Sequence, residues 1–423
     1  MTRAADGSVV AWGDNTYGQT NVPAPNTGFI AVAAGEDHSL GLKADGSIAA
    51  WGRNDNGQTN VPAPNSGFIV VAAGEFHSLG LKSDGSIVAW GAGEMDTKGP
   101  FPNYGQSNVP APNTGFIAVA AGYLHSLGLK ADGSIVAWGY NGEGPTSVPA
   151  PNTGFIAVAA GYLHSLGLKA DGSIVGWGRN VEGQTNVPAP NTGFIAVAAG
   201  RYHSMGRKAD GSIVAWGCGP SQNYGQCDVP SPNTGFIAVA GDGFGHHSLG
   251  LKADGSIVAW GAGEVNTGSS PDYGQSIVPA PNTGFIAVAA GGSHSLGLKG
   301  GGACCLSNGT CIQLATQSAC DAQSGTFRGL GSSCGGDLDG DGIADTCDQC
   351  PNDPNNTKTP EGQCVPAASQ WGLAILGLLL VTAATLFIRE RTITGTRSQV
   401  GRVIDPTVAQ AGGARRAEKA SGR

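Results

Sequence analysis

The strongest constraint on this chain is an internal repeat. The stretch Gly154 to Asn191, GFIAVAAGYLHSLGLKADGSIVGWGRNVEGQTNVPAPN, recurs almost unchanged from the N-terminus to Lys299. Phe29, Phe68, Phe116, Phe155, Phe194, Phe236 and Phe285 open seven copies of its first half. Trp12, Trp51, Trp90, Trp138, Trp177, Trp216 and Trp260 close seven copies of its second half. The Trp-to-Trp step is 39 residues, broken only by steps of 48 and 44. A period of this size with strand-like content restricts the fold to a solenoid or a propeller, since each unit buries its faces only against the next. The pattern points to a scaffold rather than to an active site.

Three strands are readable per unit: FIAVAAG, HSLGLK and SIVGWG. The Asp-Gly between the last two reads as a two-residue hairpin, because both turn positions tolerate positive φ. The VPAP run is held extended by its prolines and supplies at most a short edge strand. In HSLGLK, His164, Leu166 and Leu168 share one face. The first strand is apolar on both faces but half alanine, which suits sheets buried on both sides. The 71 glycines fit a chain of tight turns, because the apolar residues return on schedule. The chain begins inside a repeat, at ADGSVVAWG, and the last repeat stops after HSLGLKG. The two incomplete ends complete each other, which predicts that N- and C-terminal strands pair in one blade and remove the exposed edges. An open solenoid would want polar caps, and none is visible.

The repeat AAGxxHSLGLKADGSxVAWGxNxxGQ resembles the regulator-of-chromosome-condensation type of β-propeller over residues 5–299. Its short period and GQTNVPAP ending resemble the secreted bacterial members of that family, among them a propeller β-lactamase inhibitor protein. The resemblance implies an all-β, seven-bladed propeller over residues 1–299 that recognises a partner through one rim. The guanine-exchange and histone-binding roles of the nuclear members need surface residues and a basic arm that find no counterpart here.

Up to Ile388 the chain holds 15 basic and 28 acidic residues. A balance of this sign argues against nucleic acid, which demands a basic footprint. His38, His77, His125, His164, His203, His247 and His294 fall in register, which spreads them around a ring. Their expected role is structural, a ring nitrogen bonded to a neighbouring loop. The repeats contain no Gly-x-Ser-x-Gly, phosphate loop or His-Glu-x-x-His, so no enzyme is expected. What varies is the loop after AAG and the loop after Trp-Gly, and in an antiparallel blade both lie on one rim. Phe76, Tyr123, Tyr162, Tyr202, Phe244 and Tyr140 in these loops form the candidate ligand-binding rim, for an extracellular protein or glycan. The alternative is a purely structural or adhesive surface protein whose loops have drifted.

Cysteine use changes after the propeller. Cys218 and Cys227 bracket one insertion and are expected to staple it, and the other eight lie between 304 and 364, the pattern of an oxidising compartment. Residues 300–336 read as a small cysteine-rich module. In DLDGDGIADTCD, Asp337, Asp339, Asp341, Asp345 and Asp348 fall at calcium-loop positions 1, 3, 5, 9 and 12, and the Ile343 carbonyl can serve at position 7. With CPNDPNN following, residues 337–366 resemble a thrombospondin type 3 repeat, which implies calcium as a structural cofactor. Residues 369–388 carry an uncharged apolar run that reads as one transmembrane helix. The basic tail 389–423 reads as a cytoplasmic, disordered extension, with the propeller outside the membrane. VPAASQWG with the apolar run and arginines resembles a bacterial Pro-Thr-Leu-type sorting signal, which implies the cell envelope, processing machinery and release of the propeller after cleavage. Export demands a signal peptide, and Met1 to Ala11 is repeat sequence, so the start is expected further upstream.

Overall fold

The computed structural model describes residues 7–93, 101–219, 223–241 and 246–300, and the backbone of 302–305, 311–314 and 326–330. Each complete repeat folds into an antiparallel three-stranded sheet with HSLGLK in the middle. In the fourth sheet the strands are Phe155–Ala160, His164–Lys169 and Ile174–Gly178, with Ser165 opposite both Ala160 and Trp177. The register shifts between Phe155 and Ala157, a bulge that recurs in the other sheets. A Cβ at Gly167, in the middle strand, would sit 2.5 Å from Cε1 of Phe155. That glycine is the slot for the phenylalanine that opens the repeat.

The hairpin at ADGS is wider than the two residues expected. Lys43 N–H bonds the Ser47 carbonyl at 2.8 Å and Gly46 N–H bonds the Lys43 carbonyl at 3.0 Å, with Gly46 at φ +81°. The Asp45 carboxylate accepts from Ser47 N–H and from its hydroxyl, and these bonds hold its pKa below the usual range. VPAP forms no strand. Instead the asparagine that follows clamps the edge of the third strand: Asn191 Oδ1 accepts from Ile174 N–H and Nδ2 donates to its carbonyl, both at 2.8 Å. One amide thus does, for one residue, what a fourth strand would do.

The seventh sheet joins the two ends of the described domain. Ser8–Gly13 lies beside His294–Lys299, with Trp12 opposite Ser295, and Phe285–Ala290 flanks the other side. This pairing of first and last repeat strands is the one expected.

The rest of the expected architecture needs correction. The strand ladder stops at the edge of each sheet, so no sheet closes on itself, and only single hydrogen bonds cross between sheets, as from Phe155 N–H to the Gly133 carbonyl at 3.0 Å. The closed seven-bladed propeller becomes seven separate three-stranded sheets held by side-chain packing. Seven apolar cores lie between successive sheets. One, for example, joins Leu166, Leu168 and Ile174 of the fourth to Phe194 and Trp216 of the fifth. Two more flank the terminal sheet: Leu296, Leu298 and Val9 meet Phe29 and Trp51 on one side, and Trp12 and Phe285 meet Leu249 and Leu251 on the other. Each buried Leu or Phe contributes about 1.5–3 kcal/mol of transfer free energy, so the cores, not a continuous ladder, hold the sheets side by side.

The membrane expectation is also corrected. Among the described residues no helix is long and apolar enough to cross a membrane, and what is described is an all-β repeat domain. The single-pass helix at 369–388, with the envelope localisation, sorting and membrane partnership built on it, falls outside the described residues and has no support in this fold. The thrombospondin-like segment and tail at 337–423 lie outside them too. Within 300–336 the described backbone forms a small sheet of Gly302–Cys305, Cys311–Leu314 and Thr326–Leu330.

Candidate functional site

The sequence AAG-x-x-His-Ser places two kinds of residue at one end of every sheet. The histidine and serine begin the middle strand and point into the protein; the two variable residues form the loop above them. Each His Nε2 lies 2.8–3.0 Å from the Ser Oγ of the next sheet: His38 with Ser78, His77 with Ser126, His125 with Ser165, and so on to His294 with Ser39. The histidines therefore bond to the adjacent strand rather than to a neighbouring loop. Each serine hydroxyl donates onward to a backbone carbonyl, as Ser39 does to Gln19. The same carbonyl accepts the indole N–H of Trp51 at 2.8 Å. In the fourth copy a proline replaces the glutamine, and Ser165 and Trp177 both bond the Pro145 carbonyl. The position requires a carbonyl and not a side chain.

Serine–histidine pairs at this distance invite a catalytic reading, and the bonding directions rule it out. The hydroxyl proton is committed to a carbonyl, so Nε2 must donate, and a donating imidazole cannot act as the base. Each Nδ1 is buried without a hydrogen-bond partner among the described residues, so nothing orients these rings as a carboxylate would. Burial pushes the His164 pKa down to about 3 and that of His294 to about 4, which keeps the ring neutral. Nor do the described residues contain any group of three or more His, Cys, Asp or Glu able to hold a metal ion.

The variable loops form a continuous aromatic arc. Phe76, Tyr123, Tyr162, Tyr202 and His246 come from five consecutive sheets, and each ring touches the next. The centroid distances are 6.1, 4.2, 5.7 and 5.8 Å, and the Tyr123–Tyr162 pair is stacked. The insertions extend both ends: Phe101 packs on Phe76 at 5.4 Å and Tyr224 on His246 at 4.4 Å. The Arg201 guanidinium lies over Tyr162 at 5.1 Å and Tyr202 at 5.2 Å. Tyr123 is half-buried, and burial first, then Glu75, pushes its pKa up, so its hydroxyl stays protonated.

Of the expected rim residues, the structure brings Phe76, Tyr123, Tyr162 and Tyr202 together. Phe76 is only 7% exposed and supports the arc from below, whereas Phe101 is 56% exposed and presents its outer face. Tyr140 sits beside the arc against Tyr104 at 5.0 Å, in a small cluster with Phe76 and Leu124. Phe244 lies outside the described residues, as does the expected calcium set Asp337, Asp339, Asp341, Ile343, Asp345 and Asp348. Cys218 and Cys227 are joined by a disulfide with Cα atoms 6.1 Å apart, which closes the insertion after the fifth sheet. Sequence reading missed Tyr104, Tyr224, Arg201 and the acidic residues; the recurring Tyr-Gly-Gln at Tyr17, Tyr104, Tyr224 and Tyr273 was the available signal.

Charge divides the two ends of the sheets. Among the described residues, the rim loops carry Asp14, Glu36, Asp37, Asp55, Glu75, Glu143, Glu182, Asp228, Glu264 and Asp272 against Arg53, Arg179 and Arg201, a balance of −7. The opposite end pairs six turn aspartates with seven strand-end lysines, a balance of +1. Each of those lysines lies over the phenylalanine of its own sheet, as Lys169 does over Phe155 at 4.0 Å. Burial, with Glu36 next to it, pushes the Asp37 pKa up to about 6 although Arg53 lies 3.2 Å away.

Such a fold and rim define an all-β repeat domain with one uniform and one varied end. The family described as the regulator of chromosome condensation (RCC1) repeat matches at residues 29–58, 68–95, 116–144, 155–184 and 194–226. A search of curated proteins returned no match. Among solved structures, a crystal structure of Kap60 bound to yeast RCC1 (Prp20) is similar with a TM-score of 0.57 at 19% identity, over 76% of this chain and 92% of that one. Prp20p from Saccharomyces cerevisiae, described with its binding to Gsp1p and histones, gives 0.57 at 19% over 75% and 94%. Human WBSCR16 gives 0.53 at 17% over 69% and 98%. At these identities the likeness is one of fold.

Proposed function

We propose that the chain is a recognition scaffold that binds a protein partner through the aromatic rim. The observation that carries this reading is the unbroken run of ring contacts from Phe101 to Tyr224 across five consecutive sheets. Drifting loops would scatter rings at random, whereas the loop after AAG carries a ring in five consecutive sheets and Glu36-Asp37 and Gly292-Ser293 in the other two, where Tyr17 lies apart under Arg53. Aromatic side chains bury large areas at low entropy cost and dominate protein interfaces. That Prp20 is described as binding other proteins lends weight to protein over glycan.

The test is a partner captured by the full chain from culture medium and cell extract. Tyr123→Ala/Tyr162→Ala/Tyr202→Ala is expected to weaken its binding by on the order of a hundredfold, as loss of clustered hot-spot residues does. A control pair on the uniform end, Asp132→Asn/Asp171→Asn, is expected to bind as the unmodified chain does. Equal retention by the triple variant, with its melting unchanged, would return the protein to the structural or adhesive reading.

A further inference from the structure

Charge and ring chemistry at the rim together select among protein partners, given that the rim binds one at all. On that footing we propose that the aromatic arc docks a cationic, lysine- or arginine-bearing segment of the partner, seated along the arc with its charge toward Glu36 and Asp37.

Two independent features select this occupant. The first is charge complementarity. The described rim carries −7 while the other end of the same sheets carries +1, so among the described residues the negative charge gathers at one end of the sheets. Clustered charge of one sign raises the rate at which an oppositely charged partner arrives and suppresses like-charged ones. The second is the chemistry of the ring faces. Arg201 already lies over Tyr162 and Tyr202 at 5.1 and 5.2 Å, so these rings accept a guanidinium in the geometry of a cation–π contact. Phe101 and Tyr224, at 56% and 42% exposure, leave apolar surface at the two ends of the arc for the aliphatic stems of long basic side chains. An acidic segment would face the excess carboxylates. A neutral sugar would use the rings but would gain nothing from the charge.

The experiment titrates the full chain with three probes: a lysine- and arginine-rich peptide, a glutamate-rich peptide and cellohexaose. The basic peptide is expected to bind and to weaken on the order of tenfold between about 50 and 200 mM salt, as charge-steered contacts do. Glu36→Gln/Asp37→Asn and Tyr123→Ala/Tyr162→Ala are each expected to weaken it by about tenfold, and Asp132→Asn/Asp171→Asn to leave it unchanged. Equal weakening by the Asp132/Asp171 pair would mean diffuse attraction to an acidic protein and overturns the proposal. Full binding by the Glu36/Asp37 variant, or no binding of the basic peptide at all, overturns it as well. If cellohexaose or the acidic peptide binds instead and the tyrosine variant abolishes that binding, the cationic occupant falls while the rim reading stands.

Discussion

At the scale of single residues, the buried histidines matter more for stability than for chemistry. All seven have pKa values pushed down by burial, to about 3 for six of them and about 4 for His294, against 6.5 in an open chain. Below pH 6.5 the unfolded chain takes up protons that the folded chain refuses. The stability they confer is therefore complete above about pH 6.5 and drains away as the pH falls toward the folded values, by up to about 1.4 kcal/mol per pH unit for each histidine. Asp37 acts in the opposite sense between its ordinary 3.8 and about 6, but it is one group against eight, since burial also lowers His246 to about 4. Calorimetry from pH 8 to 5 should show a melting temperature that is flat at first and then falls steeply. His164→Gln, whose amide can still donate to Ser204, should flatten that fall by roughly one eighth, the share of one histidine in the linkage sum. A melting temperature that does not move between pH 7 and 5 would show that these rings are not buried as neutral donors.

At the scale of the element, the repeat works because each sheet offers the same wedge and the same slot. One departure is informative. The middle strand of the fifth sheet, Ser204–Lys208, reads SMGRK, and Arg207 stands where the other six sheets place a fully buried leucine. Its Nη1 donates to the Phe236 carbonyl at 3.3 Å, its Nε is buried without a partner among the described residues, and burial lowers its pKa. The core on that side holds Met205, Ile213, Phe236 and Trp260, without the second leucine. Replacing a poorly paired buried charge by an apolar residue of fitting shape is commonly stabilising. Arg207→Leu is accordingly expected to raise stability by about 1–3 kcal/mol, read as a shift in the urea midpoint at unchanged slope. A fall in the midpoint would assign Arg207 a role that this packing does not reveal.

For the whole molecule, the sheet shared by the two ends is the vulnerable point. Ser8–Gly13 gives Val9 to one core and Trp12 to another, so its loss opens both flanks of the terminal sheet. Leaving out residues 1–13 removes a valine from one core and a tryptophan from the other, and such losses cost about 2–5 kcal/mol per core. It also bares the edge of His294–Lys299, which invites pairing with other chains. The truncated chain is expected to melt at lower temperature, over a broader range and with visible association by light scattering. Melting as sharp as that of the full chain would mean that the terminal sheet is dispensable.

How much of this was legible depends on where each interaction sits in the repeat. Contacts inside one unit are periodic and close in sequence, so the three strands, the uniform turn and the shared rim could be read from the residues. The pairing of first and last strands was legible because each end lacks the half that the other supplies. The Cys218–Cys227 disulfide was legible because nine residues separate an isolated pair. Contacts between units depend on how two sheets face each other, and no local pattern states that. The His–Ser bonds span 40 to 49 residues, and 255 where the last sheet meets the first. Only the packed sheets revealed that an asparagine stands in for a fourth strand, that separate sheets held by their cores replace the closed seven-bladed propeller, and that the aromatic loops meet in one arc beside an acidic flank. Local periodicity determined the elements; the burial of one sheet's face against the next decided the rest.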